Sequence, residues 1–214
     1  MAVKFIEHLE EGVIGFWEIS ESTEYLIELL SPKHEDFEHF LLLKNELRKK
    51  EWLAVRLLLK QMTGADSRIS YDSEGKPILV NLPGYISISH SSNCAVIYFH
   101  PKEHPGIDIE LVTRNVTKAA KRFLSEKEWS DCTINDQPSN KEMMLRWCAK
   151  EAVFKMVPCS NVDFASQIIC IASPFICDEG NLKATFCSEI KSYNITLQYR
   201  LIGEILMVWG HLKI

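Results

Sequence analysis

The chain reads as an α+β protein of two similar halves, each a small, mostly antiparallel sheet with packed helices. Three observations predict this. Each half holds helices together with several strand-like stretches. The strands follow one another across short turns, which favours antiparallel pairing over crossover units. The order of elements is similar on either side of the linker-like turn Pro101–Pro105, which divides residues 1–104 from 105–214. No letter-level repeat accompanies that order.

The elements follow from local chemistry. Val3–Ile6 and Val13–Ile19, with the pair Phe16-Trp17, are strand material. Ser20 or Ser22 caps a short helix through Leu30, which Pro32 breaks. From His34 to Met62 one long helical pattern places Leu41, Leu42, Trp52, Val55, Leu58 and Leu59 at helical spacing, and Thr63-Gly64 ends it. Ser73 to Pro77 is a turn, followed by strands at Ile78–Val80, Tyr85–Ser89 and Cys94–His100. The second half opens with the strand Gly106–Leu111. Asn115 or Thr117 starts a helix through Leu124. Ser125-x-x-Glu128 and Ser139-x-x-Glu142 have capping-box spacing and start two more helices, the second ending at Val157-Pro158. Strands follow at Gln167–Ala172, Leu182–Cys187, Asn194–Leu201 and Glu204–Leu212, with hairpin turns at Asp178–Asn181 and Ile202-Gly203.

Composition narrows the function. The chain has 214 residues, 46% of them hydrophobic and 25% charged, enough to bury a core without covalent staples. A formal net charge of −5 argues against a nucleic-acid binder that works by neutralising phosphates. It leaves room for a small phosphorylated ligand held by a local basic cluster. No cationic, then apolar, leader opens the chain. No apolar run approaches the roughly 18–20 residues that span a bilayer. Seven scattered cysteines without a C-x-x-C pair point away from zinc and towards reduced thiols in a cytoplasmic protein without membrane attachment.

Two segments carry chemistry. In the strand Gly106-Ile107-Asp108-Ile109-Glu110, Asp108 and Glu110 share a face, about 6.6 Å apart along the strand, while Ile107, Ile109 and Leu111 point to the core. Paired carboxylates on an otherwise apolar strand require water or a bridging cation. In the helical Trp147-Cys148-Ala149-Lys150-Glu151-Ala152-Val153-Phe154-Lys155, Glu151 and Lys155 stand one turn apart on one face. Lys150 lies beside them, and Trp147, Phe154, Met143 and Met144 suit a core stripe. Each segment alone also reads as ordinary surface polarity. Together, Asp108, Glu110 and Glu151 offer hard oxygens suited to Mg²⁺ beside a phosphate, which implies transfer at a phosphoryl centre. Further phosphate candidates are Arg48, Lys49, Lys50, Arg56, Lys76 and the Ser89-His90-Ser91 stretch.

These residues resemble the 4'-phosphopantetheinyl transferases of the longer, surfactin type. The strand motif and the helix motif are intact, and Gly75-Lys76-Pro77, Ile88-Ser89-His90-Ser91 and Ala120–Ser125 leading to Glu128 also match. The resemblance implies a monomer of two similar halves, the pseudo-dimeric fold of that family, with coenzyme A between them and Mg²⁺ on its pyrophosphate. It implies transfer of the 4'-phosphopantetheine arm to a serine of an apo acyl or peptidyl carrier protein, releasing adenosine 3',5'-bisphosphate. By the same resemblance Asp108, Glu110 and Glu151 are metal ligands, and Lys155 and Lys150 contact phosphate. Arg56, Lys76, Ser89 and His90, in the N-terminal half, hold the adenosine and 3'-phosphate end. Glu151 is the first candidate for the base that takes the serine proton and Glu128 the second, though a capping box explains Glu128 equally well. Carrier contacts would lie in Val112–Leu124, where Val116, Ala119 and Phe123 form either an apolar ridge or core. The chain departs from the family after Lys155, where Met156-Val157-Pro158-Cys159 stands in place of Gly-Lys. Two other readings remain: a non-catalytic coenzyme A or carrier-binding module, and another Mg²⁺-dependent phosphoryl enzyme, against which the absence of a Gly-rich phosphate loop weighs.

Overall fold

The computed structural model describes residues 3–31, 34–64, 67–159, 161–172, 175 and 177–213. The chain separates into two compact units, Met1–Lys102 and Glu103–Ile214.

In the first unit, β1 (Val3–His8), β2 (Val13–Glu18), β5 (Tyr85–Ser91) and β6 (Cys94–His100) form an antiparallel sheet in the order β1-β2-β6-β5. One face of it packs on helices. Trp17, Ala95 and Ile97 meet Leu53, Leu58 and Leu59 in one core cluster. Three helices precede β5: α1 (Thr23–Leu30), α2 (His34–Leu42) and α3 (Glu46–Thr63). Ser22 caps α1 by accepting the Tyr25 amide at 3.3 Å; Pro32 lies outside the described residues. The single helix expected over His34–Met62 is two helices. Asn45 adopts an extended conformation and its Oδ1 accepts the Arg48 amide at 3.2 Å, starting α3 afresh. Gly64 ends α3 with φ 64°. A small hairpin, β3 (Arg68–Tyr71) with β4 (Pro77–Val80), was not anticipated over its first strand. Asp72 organises its turn, taking the Glu74 and Lys76 amides at 2.9 and 2.8 Å.

The second unit is a five-stranded antiparallel sheet covered by one long helix. The strands are β7 (His104–Leu111), β10 (Ile168–Ala172), β11 (Glu179–Cys187), β12 (Ser192–Ile202) and β13 (Ile205–Leu212), in the order β10-β11-β12-β13-β7. The helix α5 (Asn140–Met156) crosses β7 and β13. Its Met144, Cys148, Ala152 and Val153 share a core with Leu182, Leu197, Leu206 and Val208. Met143 and Met144 are core, as the pattern implied; Trp147 and Phe154 pack against its margin.

Several expectations change here. The helix expected from Asn115 or Thr117 to Leu124 is a run of tight turns with one short 3₁₀ segment, Ala120–Arg122. Its amides reach back three residues, as from Ala119 to Val116 and Arg122 to Ala119. Val116 and Phe123 are core, so only Ala119 of the supposed ridge is exposed. The Ser125–Glu128 capping box is complete and opens α4 (Glu126–Asp131). At Ser139 only half a box forms, because the Glu142 carboxylate turns instead to Arg146 and the Phe175 amide. Asp178–Asn181 is not a hairpin turn: Glu179 already pairs with Arg200, and the β11–β12 turn is at Ser188–Lys191. Gly203, with φ 63°, makes the β12–β13 turn. The hairpin β8 (Thr133–Ile134) with β9 (Gln137–Pro138) and the short α6 (Phe164–Gln167) lie in stretches too short for a periodic signal. All seven cysteines are free thiols. Among the described residues no helix is long and apolar enough to cross a membrane.

Candidate active site

The geometry begins with a glycine. Gly106, Asp108 and Glu110 occupy alternate positions of β7, opposite Gly210, Val208 and Leu206 of β13. That is the face turned to α5. A Cβ at Gly106 would collide with the Ala152 carbonyl and lie 2.5 Å from Met156 Cγ, so the missing side chain lets helix and strand approach. Met156, the departure from the family pattern, fills this contact and is 1% exposed. The strand is not polar on one side and buried on the other: Ile107 and Ile109 are buried, and so is Asp108.

The close approach gathers the carboxylates. Asp108 Oδ1 accepts from Lys155 Nζ at 2.9 Å, and the same ammonium donates to the Ile107 carbonyl at 2.9 Å. Glu110 Oε1 accepts from the Trp147 indole at 3.2 Å and pairs with Arg114 Nη2 at 2.6 Å. Glu151 sits among these charges. Burial foremost, then the negative charge of Asp108, push its carboxyl up to about 7, with Lys155 pulling the other way and Glu110 adding to the rise. Burial, reinforced by Asp108 and Glu110, also holds the Cys148 thiol well above its usual range. Asp108, Glu110, Glu151 and Lys155 therefore share one electrostatic neighbourhood on β7 and α5.

Lys150 and Glu128 do not belong to it. Lys150 is completely buried, and its ammonium donates to Glu128 Oε2 at 2.8 Å, to the Phe164 carbonyl at 2.8 Å and to the Ile168 carbonyl at 2.5 Å. All three of its donors are taken. Glu128, 1% exposed, accepts in addition from the Ser125 amide and hydroxyl and from the Cys170 amide. The expected phosphate contact and the second candidate base are thus partners in a closed structural network. This position of Lys150 corrects the expectation that it lies beside Glu151 and Lys155 as a phosphate contact.

The first unit holds the remaining candidates. Arg48 Nη1 of α3 lies 2.9 and 2.8 Å from the two ring nitrogens of His90 and 2.9 Å from Glu51 Oε2. Ser89 is buried one residue before His90 on β5. Lys76 is half-buried in the β3–β4 turn. Arg56 stacks over Trp52 at 3.4 Å and donates to its carbonyl at 3.2 Å.

Two residues escaped the sequence reading. Arg114 follows β7 in an irregular turn, with no periodic pattern to assign its direction. Asn140 begins α5 and clamps that turn: its Nδ2 donates to the Val112 and Arg114 carbonyls at 3.2 and 3.0 Å, and its Oδ1 accepts the Val116 amide at 2.9 Å.

Comparison with known proteins points the same way. Residues 105–204 match the 4'-phosphopantetheinyl transferase superfamily. The chain is 33% identical over 97 residues to the 4'-phosphopantetheinyl transferase Sfp of Bacillus subtilis strain 168, and 31% identical over 97 residues to the 4'-phosphopantetheinyl transferase ffp of Bacillus subtilis. Each alignment covers 44% of this chain and 43% of the relative, so the match spans less than half the length of either.

Proposed function

From the match of residues 105–204 to the 4'-phosphopantetheinyl transferase superfamily, we propose that this chain transfers the 4'-phosphopantetheine arm of coenzyme A to a serine of an apo acyl or peptidyl carrier protein. The observation that carries the proposal is the convergence of three carboxylates, Asp108, Glu110 and Glu151, with Lys155 on the facing sides of β7 and α5. Burial foremost, and the charges of Asp108 and Glu110 in addition, disfavour an ionised Glu151, and a divalent cation would offset that negative charge. The donor set is all hard oxygen, which fits Mg²⁺. We assign Asp108, Glu110 and Glu151 to hold it. A bound Mg²⁺ would neutralise charge on the pyrophosphate of coenzyme A.

The chain's own residues account for the rest. In the transfer, a bond forms between the serine oxygen and the phosphorus of the pantetheine phosphate, and the bond from that phosphorus to the bridging pyrophosphate oxygen breaks. Adenosine 3',5'-bisphosphate leaves with that oxygen, and the serine proton must go to a base. Glu151, which stands one turn from Lys155 on α5, is our first candidate for that base. Lys155, held at the strand by the Ile107 carbonyl, offers a cation to the phosphate once it shares Asp108. We assign Arg56, Lys76, Ser89 and His90 to the adenosine and 3'-phosphate end, with Arg48 joining His90. Holding donor and acceptor in line can supply roughly 7–11 kcal/mol of the barrier. We propose a monomer, as the family resemblance implies, and a cytoplasmic location, which the scattered cysteines without a C-x-x-C pair support.

The test is mass spectrometry of apo carrier proteins from fatty-acid, polyketide and peptide synthases incubated with the chain, coenzyme A and Mg²⁺. A gain of one phosphopantetheine arm is expected for at least one carrier, and none for Asp108→Asn. No gain on any carrier, or full activity in Asp108→Asn, refutes the assignment. Hydrolysis of coenzyme A without a carrier would favour a different phosphoryl enzyme.

A further inference from the structure

Arg114 is a cation at the margin of the carboxylates that the proposed transfer leaves without a task. Its Nη2 lies 2.6 Å from Glu110 Oε1, the oxygen that also accepts from the Trp147 indole at 3.2 Å. Its guanidinium carbon lies 6.0 Å from the centre of the Trp147 ring. The backbone beneath it is fixed. The Arg114 amide donates to the Leu111 carbonyl at 2.9 Å, and the Arg114 carbonyl accepts from Asn140 at 3.0 Å. The side chain is nonetheless 48% exposed. A rigid anchor thus carries a head group with open solvent to swing into. Lys155 at Asp108 differs, because its side chain is 25% exposed and a second bond to the Ile107 carbonyl holds it.

From this geometry we propose that Arg114 is a displaceable placeholder cation: it holds the Glu110 carboxylate beside Asp108 and Glu151, and must leave Oε1 before a divalent cation takes that oxygen. The inference rests on the assignment of Glu110 as a metal ligand. Arg114 is a positioning residue in this scheme, acting through Glu110 and not on the substrate. An intramolecular pair that must break weakens metal binding by the strength of the pair. For a half-exposed ion pair this is about two- to fivefold.

The test is calorimetric titration of the full chain with Mn²⁺ in the absence of coenzyme A. Arg114→Met is compared with wild type and with Lys118→Met, which removes the same charge from an exposed position in the next turn of the chain. Circular dichroism checks that all three are folded. Arg114→Met is expected to bind Mn²⁺ about two- to fivefold more tightly than either comparison protein. Equal or weaker binding by Arg114→Met overturns the proposal. So does equal tightening in Lys118→Met, which would mean that net charge alone sets the affinity. A Glu110→Gln arm tests the layer beneath: if it binds Mn²⁺ as wild type does, Glu110 is not a metal ligand, and that assignment fails together with the inference built on it.

Discussion

Replacing Glu128 by alanine tests whether this residue is structural. The change strips Lys150 of its counter-ion while leaving it buried, with only the Phe164 and Ile168 carbonyls as partners. It also removes the acceptor of the Cys170 amide and half of the Ser125 capping box. Removing one member of a buried ion pair costs about 3–5 kcal/mol. Domain stabilities of about 5–15 kcal/mol make that a large share of the total. The assay is urea unfolding followed by circular dichroism, comparing midpoints at unchanged slope. Lys150→Met should cost a similar amount. The double variant Glu128→Leu with Lys150→Met should cost much less than the sum, because no buried charge is left alone. A loss below about 1 kcal/mol in Glu128→Ala, the range of surface substitutions, would refute the reasoning, as would strict additivity in the double variant. A Glu128→Gln protein of wild-type stability that has lost transfer would restore Glu128 as a proton acceptor.

Two further outcomes follow from the geometry. Gly106→Ala should force α5 away from β7, since its Cβ meets the Ala152 carbonyl and Met156; we expect a loss of about 1–3 kcal/mol from overpacking, with weakened divalent-metal binding. Wild-type stability in urea would show that the two elements part at no cost. Glu151, raised to about 7 from 4.5, binds more protons folded than unfolded between those values, so its contribution to stability falls as pH rises through that window. Without added metal, Glu151→Gln should therefore gain melting temperature relative to wild type from pH 5 to pH 8; a difference independent of pH would refute the raised carboxyl.

The amino-acid pattern told most about the parts whose signals are local. Alternation put Asp108 and Glu110 on one face of β7, and the spacing of Glu151 and Lys155 put them together on α5. What it could not reveal was which face of β7 meets the helix, since residues on both faces are buried; the deciding fact, the lack of a Cβ at Gly106, has meaning only once the helix lies across it. The Glu128–Lys150 pair joins residues separated by 22 positions, beyond any periodic signal, so the sequence alone associates Lys150 with its neighbour Glu151. The break between α2 and α3 was masked by Leu41 and Leu42, which continue the apolar spacing yet are 68% and 76% exposed. Asn45, an ordinary helix cap, was the available sign of that break.

The charges buried along α5 have a consequence for the helix as a body. Glu142, Met143, Met144, Leu145, Arg146, Cys148, Ala149, Lys150, Ala152 and Val153 are all buried, so apolar residues nearly surround the axis and give little preference for one rolled orientation over another. The polar residues do discriminate. Glu142 must meet the Phe175 amide and Lys150 must meet Glu128, and a roll of one residue, about 100°, would strand both inside the core. The two contacts lie two turns apart and act like pins through a shaft, locking its angle. That angle turns Glu151 and Lys155 towards Asp108, so groups remote from the carboxylates aim the chemistry.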